Sequence, residues 1–482
     1  MARTRQLVAP KGTGGLLSCA LSPHDGAASL AVGGENAAAL VFDLRGAHLV
    51  AHRLTAAAGC FDREDAVPCV SYNLAAPHAL YCASGRVVTA WDVRRLPGAA
   101  DARVRVGCVA GAAKSAPPTH PAEHGVYDDG ANDGANDATR VSTRVSRAQS
   151  SSINRGAIDT YAHNADEINH FVIDRLGACL YAADDNCEVT VVDVAKNERL
   201  KTLRFDGHES FVSCVALRGH KPREVVSGGL DARVCVWDRD KASAVRRWSV
   251  NELASAADAA EAEASKFSQT ENGEEGGAND EAARRTNPSR MMNPPFVHCV
   301  ATWACARAPT HAHTRRLAAA ACGDGTVALV DLDAPKSDAS GKKKKKKKNT
   351  SSSETTSERP GGARGDALGG LPAVFLGRGA RGGAHASAAS HVAFPGWGDG
   401  DVVVSGGNDR AIKAWRWNDV ENRASHPADA EGAFSTRTSR IHGKKVNWIA
   451  HAETREACPG GGHVFVADTS ETVAVYDANA YA

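Results

Sequence analysis

The chain has 482 residues, of which 57 are Lys or Arg and 56 are Asp or Glu, so the formal net charge is only +1. This balance excludes a global electric field that would draw the protein to nucleic acid or to an anionic membrane. No apolar run approaches the roughly eighteen residues of a membrane span, and the opening stretch, MARTRQLVAPKGTGG, has no apolar signal core. We therefore expect a protein of the cytoplasm or the nucleus.

Neither metal nor cofactor binding is predicted. The 13 cysteines include no CxxC pair, which zinc knuckles and redox dithiols require. His311 and His313 have no carboxylate or paired cysteine at ligand spacing along the sequence. Residues 377–382 fit the pattern GxGxxG, but a strand rather than a helix is expected after them, which argues against a dinucleotide site.

Short β-branched runs that end in an apolar or aromatic residue followed by Asp recur along the chain. Six of them end at Asp43, Asp92, Asp193, Asp238, Asp331 and Asp477, and a seventh, a variant, ends at Arg416. The intervals of 49, 101, 45, 93, 85 and 61 residues become 49, 48, 45, 52, 46 and 38 once four polar segments are removed. Such spacing is close to that of repeats that form four-stranded propeller blades. The sequence therefore predicts an all-β fold, a seven-bladed β-propeller that spans residues 1–482 as a single domain.

The four removed segments are predicted to be inserted loops without strands. They cover residues 108–160, which contain GANDGAND; 252–292, rich in Ala, Glu, Ser and Asn; 334–372, with the lysine run from Lys342 to Lys348; and 419–441, which are polar.

Closure of the ring needs a strand from elsewhere in the chain. Only five residues follow Asp477, too few for a connection and a fourth strand. The QLVA stretch at residues 6–9 precedes the first repeat and is the expected donor, which would also cover an exposed sheet edge.

The fourth repeat begins with Gly207-His208 and ends with Trp237-Asp238, and in this it resembles WD-repeat proteins. In that family a buried histidine, a strand serine, a turn aspartate and the tryptophan form a hydrogen-bonded set that locks a blade. The resemblance assigns this lock to His208, Ser227, Asp231 and Trp237, and in the sixth repeat to His385, Ser405, Asp409 and Trp415. The third repeat lacks the serine. Because the His, Ser and Asp trio recurs in two repeats, we interpret it as structural rather than catalytic.

The second repeat ends Trp91-Asp92-Val93-Arg94, followed by Arg95, and the turn after this strand should be exposed. The WDxR ending resembles the signature of substrate receptors that dock on the damaged-DNA-binding adaptor of cullin-4 RING ubiquitin ligases. The resemblance implies that Trp91, Asp92, Arg94 and Arg95 contact this adaptor. Many WD repeats end in Asp-x-Arg without that role, so an ordinary repeat ending stays open.

The last repeat, with HGKKVNW at residues 442–448 and then HVFVADTSETVAVYD, is similar to the C-terminal blade of the WD repeat-containing protein 53 family. Residues 166–169 (DEIN), 293–295 (NPP) and 405–415 (SGGNDRAIKAW) also agree with that family. Its members are regarded as candidate receptors of the cullin-4 ligase. Lys444, Lys445, Asn447 and Trp448 form a candidate client-binding patch, with core packing of Trp448 as the alternative.

Two functions remain open at this point. The first is a non-enzymatic substrate receptor that bridges the ligase adaptor and an unknown client protein, as a monomer within a complex. The second is a ligase-independent scaffold in a nuclear chromatin or RNA assembly. Its basis is the run from Lys342 to Lys348, which could bind RNA or an import receptor or could simply be a solvated tract.

Overall fold

The computed structural model describes residues 2–23, 26–46, 50–55, 61, 65–76, 78–96, 157–257, 293–305, 307–334, 368, 372–376, 384–417, 436–454, 456, 458 and 463–477. These residues form 28 strands. In chain order the strands are β1 (Ala2–Val8), β2 (Leu16–Leu21), β3 (Ser29–Gly34), β4 (Ala38–Asp43), β5 (Val50–Thr55), β6 (Val70–Tyr72), β7 (Ala79–Ser84), β8 (Val87–Asp92), β9 (Ala157–Tyr161), β10 (Ile168–Ile173), β11 (Cys179–Asp184), β12 (Val189–Asp193), β13 (Glu198–Leu203), β14 (Val212–Leu217), β15 (Glu224–Gly229), β16 (Arg233–Asp238), β17 (Ser243–Ser249), β18 (Val297–Thr302), β19 (Leu317–Cys322), β20 (Val327–Asp331), β21 (Ala373–Leu376), β22 (Ala389–Ala393), β23 (Val402–Gly407), β24 (Ala411–Arg416), β25 (Thr436–Ile441), β26 (Val446–His451), β27 (Val464–Asp468) and β28 (Thr472–Asp477).

The strands form seven antiparallel sheets of four within the described residues. Blades one to six take consecutive strands, β2–β5, β6–β9, β10–β13, β14–β17, β18–β21 and β22–β25, and blade seven combines β26–β28 with β1. Turns rich in Gly, Asp and Asn separate short apolar runs, so each repeat folds into an up-and-down sheet. The blades are arranged in a ring, and the prediction of a seven-bladed β-propeller is confirmed.

The N-terminal strand closes the ring, as the chain arithmetic predicts. β1 pairs antiparallel with β28, with Ala2 opposite Asp477 and Val8 opposite Thr472. Leu7 on this strand is fully buried. The strand begins earlier than the predicted QLVA stretch, and Ala9 follows it, donating its backbone N–H to the Glu471 carbonyl oxygen at 2.8 Å.

Neighbouring blades approach closely, so small residues are required where they meet. A Cβ atom on Gly228, at the end of β15, would lie 2.4 Å from Val297 Cγ1 of the next blade. The equivalent Gly406 would lie 2.5 Å from Val446 Cγ1. All six residues of β19, LAAAAC, are buried. The core therefore lies mainly between blades, not inside any one of them.

The innermost strands are also joined by hydrogen bonds from one blade to the next. The side-chain amide of Asn169 donates to the Val212 carbonyl oxygen at 3.1 Å. Ser213 and Ser390, at the same strand position, donate to the carbonyl oxygens of Val297 and Val446 in the blades that follow. Polar residues at the second position of these strands thus fasten the ring around its axis.

Two predicted loop insertions contain the outer strand of a blade. β9 falls at the end of the 108–160 segment, and β25 falls at the end of the 419–441 segment. Prediction of strand-free loops was wrong there, because an outer strand has one solvated face and needs few apolar residues. The TRTSRI sequence of β25 is an example.

Parts of the other two segments are also ordered against the core. Residues 250–257 are helical, so the 252–292 segment begins inside a helix, and Leu253 and Ala254 are buried beside blades four and five. Leu368, within the 334–372 segment, is buried against blades five and six. These apolar residues fill space at the blade edges. The remainder of the four segments lies outside the described residues.

Candidate protein-binding site

The turn that follows β8 in blade two presents the predicted arginine. Asp92 ends the strand, and its carboxylate accepts a hydrogen bond from the Arg94 backbone N–H at 3.1 Å, capping a single 3-10 turn at Val93–Arg95. The same carboxylate accepts from Arg94 Nε at 3.0 Å and Nη2 at 2.8 Å. The hydrogen bond from the Arg94 guanidinium is the main reason that the pKa of Asp92 is lowered to about 2.

This arrangement holds the arginine in place without burying it. The Arg94 side chain remains 60% exposed, and Arg95 lies 3.5 Å from Asp92 with a still more exposed side chain. A bidentate pair fixes the plane of the guanidinium. The rest of that group faces solvent and can donate to a carbonyl or carboxylate of a partner.

Trp91 does not belong to this surface. Its side chain is fully buried, in edge contact with Phe61 at 6.4 Å between ring centroids. The expectation that Trp91 contacts an adaptor directly is therefore wrong, because a residue at the centre of a blade cannot reach a partner. Asp92 is also largely buried, so its part is to position Arg94.

Blade one carries a second arginine in the same geometry, which the sequence reasoning missed. Asp43 ends β4, and its Oδ1 accepts from the Arg45 backbone N–H at 2.9 Å and from Arg45 Nε at 3.1 Å. The Arg45 side chain is 64% exposed. In the other five repeats the residue at this position is Ala195, Asp240, Asp333, Asn418 or Asn479.

The signal for Arg45 was present in the sequence as Phe42-Asp43-Leu44-Arg45, with phenylalanine where the WDxR pattern has tryptophan. Since the aromatic residue is buried in both blades, this replacement leaves the exposed turn unchanged. Neighbouring blades one and two therefore present an arginine at the same end of the same strand.

The predicted client-binding patch of blade seven divides into two parts. Lys444 and Lys445 are exposed in the loop before β26, at the opposite end of the blades from Arg94. Asn447 is held by its side-chain amide, which donates to the Leu16 carbonyl oxygen of blade one at 2.8 Å. It fastens the ring and is not free to bind a client.

Trp448 of blade seven contacts histidine rings of two other blades. Its ring centroid lies 4.4 Å from that of His391 in blade six and 5.3 Å from that of His170 in blade three. The interpretation that packs Trp448 in the interior agrees with these contacts. Burial lowers the pKa of His391 to about 3 and that of His170 to about 4, so both rings that face the tryptophan are neutral at pH 7.

The structure contains the hydrogen-bonded lock of blades four and six. His208 Nδ1 lies 3.0 Å from Asp231 Oδ1, and its Nε2 lies 2.7 Å from Ser227 Oγ. Trp237 donates its indole N–H to the same hydroxyl at 2.7 Å. The tryptophan, serine, histidine and aspartate thus form a continuous series of hydrogen bonds, in which the Nδ1–H of His208 donates to the Asp231 carboxylate.

The equivalent residues of blade six match this lock closely. His385 lies 3.0 Å from Asp409 and 2.8 Å from Ser405, and Trp415 donates to Ser405 at 2.9 Å. Burial alone would raise the pKa of each lock aspartate, but the histidine hydrogen bond holds the pKa of Asp231 and of Asp409 below the usual value.

Blade seven has a lock of different composition, which sequence reasoning also missed. His442 lies 2.6 Å from the Tyr476 hydroxyl and 2.7 Å from Asp468 Oδ2. The tyrosine hydroxyl takes the place of the serine, so one residue supplies both the aromatic ring and the hydroxyl. The order His-Gly, instead of Gly-His, concealed this lock in the sequence.

The remaining candidates for chemistry are structural or lie outside the described residues. His311 Nε2 lies 3.7 Å from Asp401 Oδ1, a carboxylate distant in the sequence. Across the described part of the chain, no group of three or more His, Cys, Asp or Glu side chains could hold a metal ion. The GxGxxG stretch at 377–382 and the run from Lys342 to Lys348 fall outside the described residues. None of the helices in the described ranges has the length and hydropathy needed to cross a membrane.

Known proteins are similar to this chain in one repeat and over part of its length. A model of the family "WD domain, G-beta repeat" matches residues 197–238, which run from just before β13 to the end of β16. A curated relative, the WD repeat-containing protein 53 homolog of Dictyostelium discoideum, is 24% identical over 176 residues. That alignment covers 36% of this chain and 41% of the relative, so the chain spans less than half the relative's length.

WD40 propellers generally act as non-enzymatic scaffolds that bind other proteins. The matched segment contains the lock residues His208, Ser227, Asp231 and Trp237, and the same lock recurs in blade six. The matched repeat is one of seven four-stranded blades that close into a single ring, so the chain has the fold of a WD40 β-propeller and one of its blades is similar to the WD40 family model.

Proposed function

We propose that this propeller is a substrate receptor that docks, through Arg45 and Arg94, on the damaged-DNA-binding adaptor of cullin-4 RING ubiquitin ligases. The observation that carries the proposal is the pair of Asp-fixed, exposed arginines on one face of blades one and two. The resemblance of the WDxR ending and of the last blade to known and candidate receptors of that ligase supports the same assignment.

The physical basis of docking is preorganisation. An arginine normally loses side-chain entropy when a partner immobilises it. Here Asp43 and Asp92 have already oriented the two guanidinium groups, so less entropy remains to be lost. Arginine is also among the residues that most often dominate the energy of protein interfaces.

The test is direct binding of the purified propeller to the purified adaptor, measured by biolayer interferometry. We expect Arg94→Ala to weaken binding about thirtyfold, a loss of about 2 kcal/mol, as for a typical interface hot spot. We expect Arg45→Ala to weaken it less and the double variant to abolish detectable binding.

Arg86 supplies a matched control in the same blade. It has the same 60% exposure and also pairs with an aspartate, Asp166, but lies in the turn between β7 and β8, at the opposite end of the blade from Arg94. Arg86→Ala should bind like the wild type. Failure of the wild type to bind, or equal losses for Arg86→Ala and Arg94→Ala, would refute docking through this face.

The client would occupy the opposite face, around Lys444 and Lys445. Lys445 directly precedes β26, and its carbonyl oxygen accepts from the Thr469 N–H at 3.2 Å. Glu167 of blade three and Phe211 of blade four make the equivalent contact with Asp185 and Leu230. This face therefore has a basic side on blade seven and an acidic side on blade three, which suits a client segment with both charges.

A photo-crosslinking residue placed at position 445 tests the client surface. Its crosslinked clients should disappear when Glu167 is changed to Lys, while adaptor binding should be retained. Crosslinks that are unchanged by Glu167→Lys would argue against a client on this face.

Non-enzymatic function is part of the same proposal. The His, Ser and Asp groups that resemble a catalytic trio are buried, and each serine hydroxyl is engaged by a tryptophan N–H. A hydroxyl held in this way is not available as a nucleophile.

The second candidate is a ligase-independent scaffold in a nuclear chromatin or RNA assembly, favoured by the seven consecutive lysines. Deletion of residues 342–348, followed by imaging of localisation and by RNA crosslinking, separates the two. Loss of nuclear signal and of crosslinked RNA together, with adaptor binding absent in the intact protein, would favour the scaffold.

A further inference from the structure

A groove on the outer rim of blade three combines apolar and basic side chains. Its volume is about 410 Å³, and β13 supplies four of its eight lining residues. Its lining does not include Arg45, Arg94 or Lys444. The lining includes Glu188, Arg199, Leu200, Lys201, Arg204 and Phe205.

Two apolar side chains of this groove point into solvent. Phe205 is 71% exposed, although its backbone is fixed: its carbonyl oxygen accepts from the Ala244 N–H of blade four at 3.2 Å. Leu200 is the extra residue of a β-bulge between Arg199 and Lys201, which pair with consecutive residues of β12. A bulge redirects a side chain away from the sheet. Both residues are therefore held in exposed positions by the local backbone.

The charge of the groove is positive and mostly uncompensated. Glu188 is buried and lies 3.7 Å from Arg204, so these two charges partly cancel. Lys201 donates its ammonium to the Asp240 backbone carbonyl oxygen. Among the described residues, no acidic side chain forms an ion pair with Arg199 or Lys201. A partner with carboxylates opposite these cations gains attraction without displacing an existing pair.

The wall of the groove is also the edge of a sheet. β13 is the outermost strand of blade three, so one row of its backbone groups has no neighbouring strand within the sheet. Such an edge accepts an extended peptide as an added strand. Six residues of β13 correspond to a bound segment about 20 Å long at about 3.3 Å per residue.

We propose that this groove binds an extended acidic peptide segment of about six residues that carries a large apolar side chain. Its carboxylates pair with Arg199 and Lys201, and its apolar side chain packs on Phe205 and Leu200. None of the lining residues is an arginine of the proposed adaptor surface or one of the client-surface residues Lys444, Lys445 and Glu167. The groove therefore offers a third binding surface, and this inference does not depend on adaptor docking.

The test uses an array of fluorescein-labelled peptides of ten residues. Each peptide consists of Glu except at two positions, which both carry Leu, Phe or Ala, and the array covers every pair of positions. Binding to the full-length protein is measured by fluorescence anisotropy. We expect peptides with Leu or Phe to bind and Ala peptides to bind at least tenfold more weakly. Peptides with Lys in place of Glu should not bind.

Two variants and two matched controls locate the site. Phe205→Ser, and separately the double change Arg199→Glu with Lys201→Glu, should each weaken binding tenfold or more. Phe211→Ser removes another exposed phenylalanine, and Arg86→Glu reverses another exposed arginine, both outside the groove. These two should bind like the wild type. Melting temperatures of all variants establish that they are folded.

Three results would overturn the proposal. One is no binding of any acidic peptide, and another is an equal loss for Phe205→Ser and Phe211→Ser. The third is competition by a uridine decamer with the same dependence on Arg199 and Lys201, which would make the groove a nucleic-acid site. Adaptor binding by Phe205→Ser should be unchanged, so failure here is distinguishable from failure of adaptor docking.

Discussion

Blades four and two bury a tryptophan at the same position but give its indole nitrogen different surroundings. Trp237 donates to Ser227 within the lock of blade four. The Trp91 nitrogen of blade two has no acceptor among the described residues, and Trp91 is held by apolar contacts with residues such as Phe61 and Leu80. Both side chains are fully buried. Apolar packing is thus sufficient to place the tryptophan, and the lock adds a directional polar constraint.

The largest loss of stability should come from removing the histidine that links the serine and the aspartate of the lock. His208→Ala would leave Ser227 and Asp231 buried without their shared partner, and we expect a loss of about 3 kcal/mol in the free energy of unfolding. Urea denaturation measures this loss. His385→Ala in blade six is the matched variant and should cost about the same. A loss below about 1 kcal/mol in both blades would show that the lock adds little to packing.

Acidification should destabilise the protein through histidines that are buried without a lock. Because the pKa values of His391 and His170 are lowered by burial, the unfolded chain binds protons below pH 6.5 that the folded chain excludes. Stability should therefore fall as pH decreases from 6.5 toward about 4, by about 1.4 kcal/mol per pH unit for each histidine. Asp184 acts in the opposite direction, since burial raises its pKa to about 6.

Comparison of wild type with His391→Gln isolates one histidine from the other groups. The variant should lose stability less steeply between pH 6.5 and 4.5, in urea titrations at each pH. Parallel pH profiles for the two proteins would mean that His391 is protonated in the folded state.

Substitution of each tryptophan by phenylalanine measures what the indole hydrogen bond of blade four contributes to stability. Trp237→Phe removes a hydrogen bond and leaves Ser227 Oγ without its donor, so we expect a cost about 1 kcal/mol larger than that of Trp91→Phe. Both changes remove similar ring volume, so the difference between their unfolding free energies reports the hydrogen bond. Equal costs would show that the indole N–H of blade four contributes nothing to stability.

The smallest loss of stability is expected for the exposed arginine of blade two. Arg94→Ala should change the free energy of unfolding by less than about 0.5 kcal/mol, because its ion pair is largely exposed. Thermal melts would check this. A large drop in melting temperature would mean that the arginine supports the blade, and loss of adaptor binding would then be uninformative.

The sequence predicted the fold where local patterns are sufficient. The spacing of the Asp endings located the repeats, and the resemblance to WD-repeat proteins located the locks of blades four and six. β25 was missed because TRTSRI carries no alternation of apolar residues. The roles of Asn447 and Trp448 depend on Leu16, His170 and His391, which only the closed ring brings near. Such contacts between distant repeats leave no pattern in the sequence.

The pairing of β1 with β28 has a consequence for the order of folding. Blades one to six each contain strands from one stretch of chain, and their contacts can form early. The seventh joins Val8 to Thr472, so it forms at the cost of closing a very long loop, which slows folding. We expect the pairing of β1 with β28 to form last during folding and to open first. Hydrogen exchange should therefore be faster in β1 than in β3.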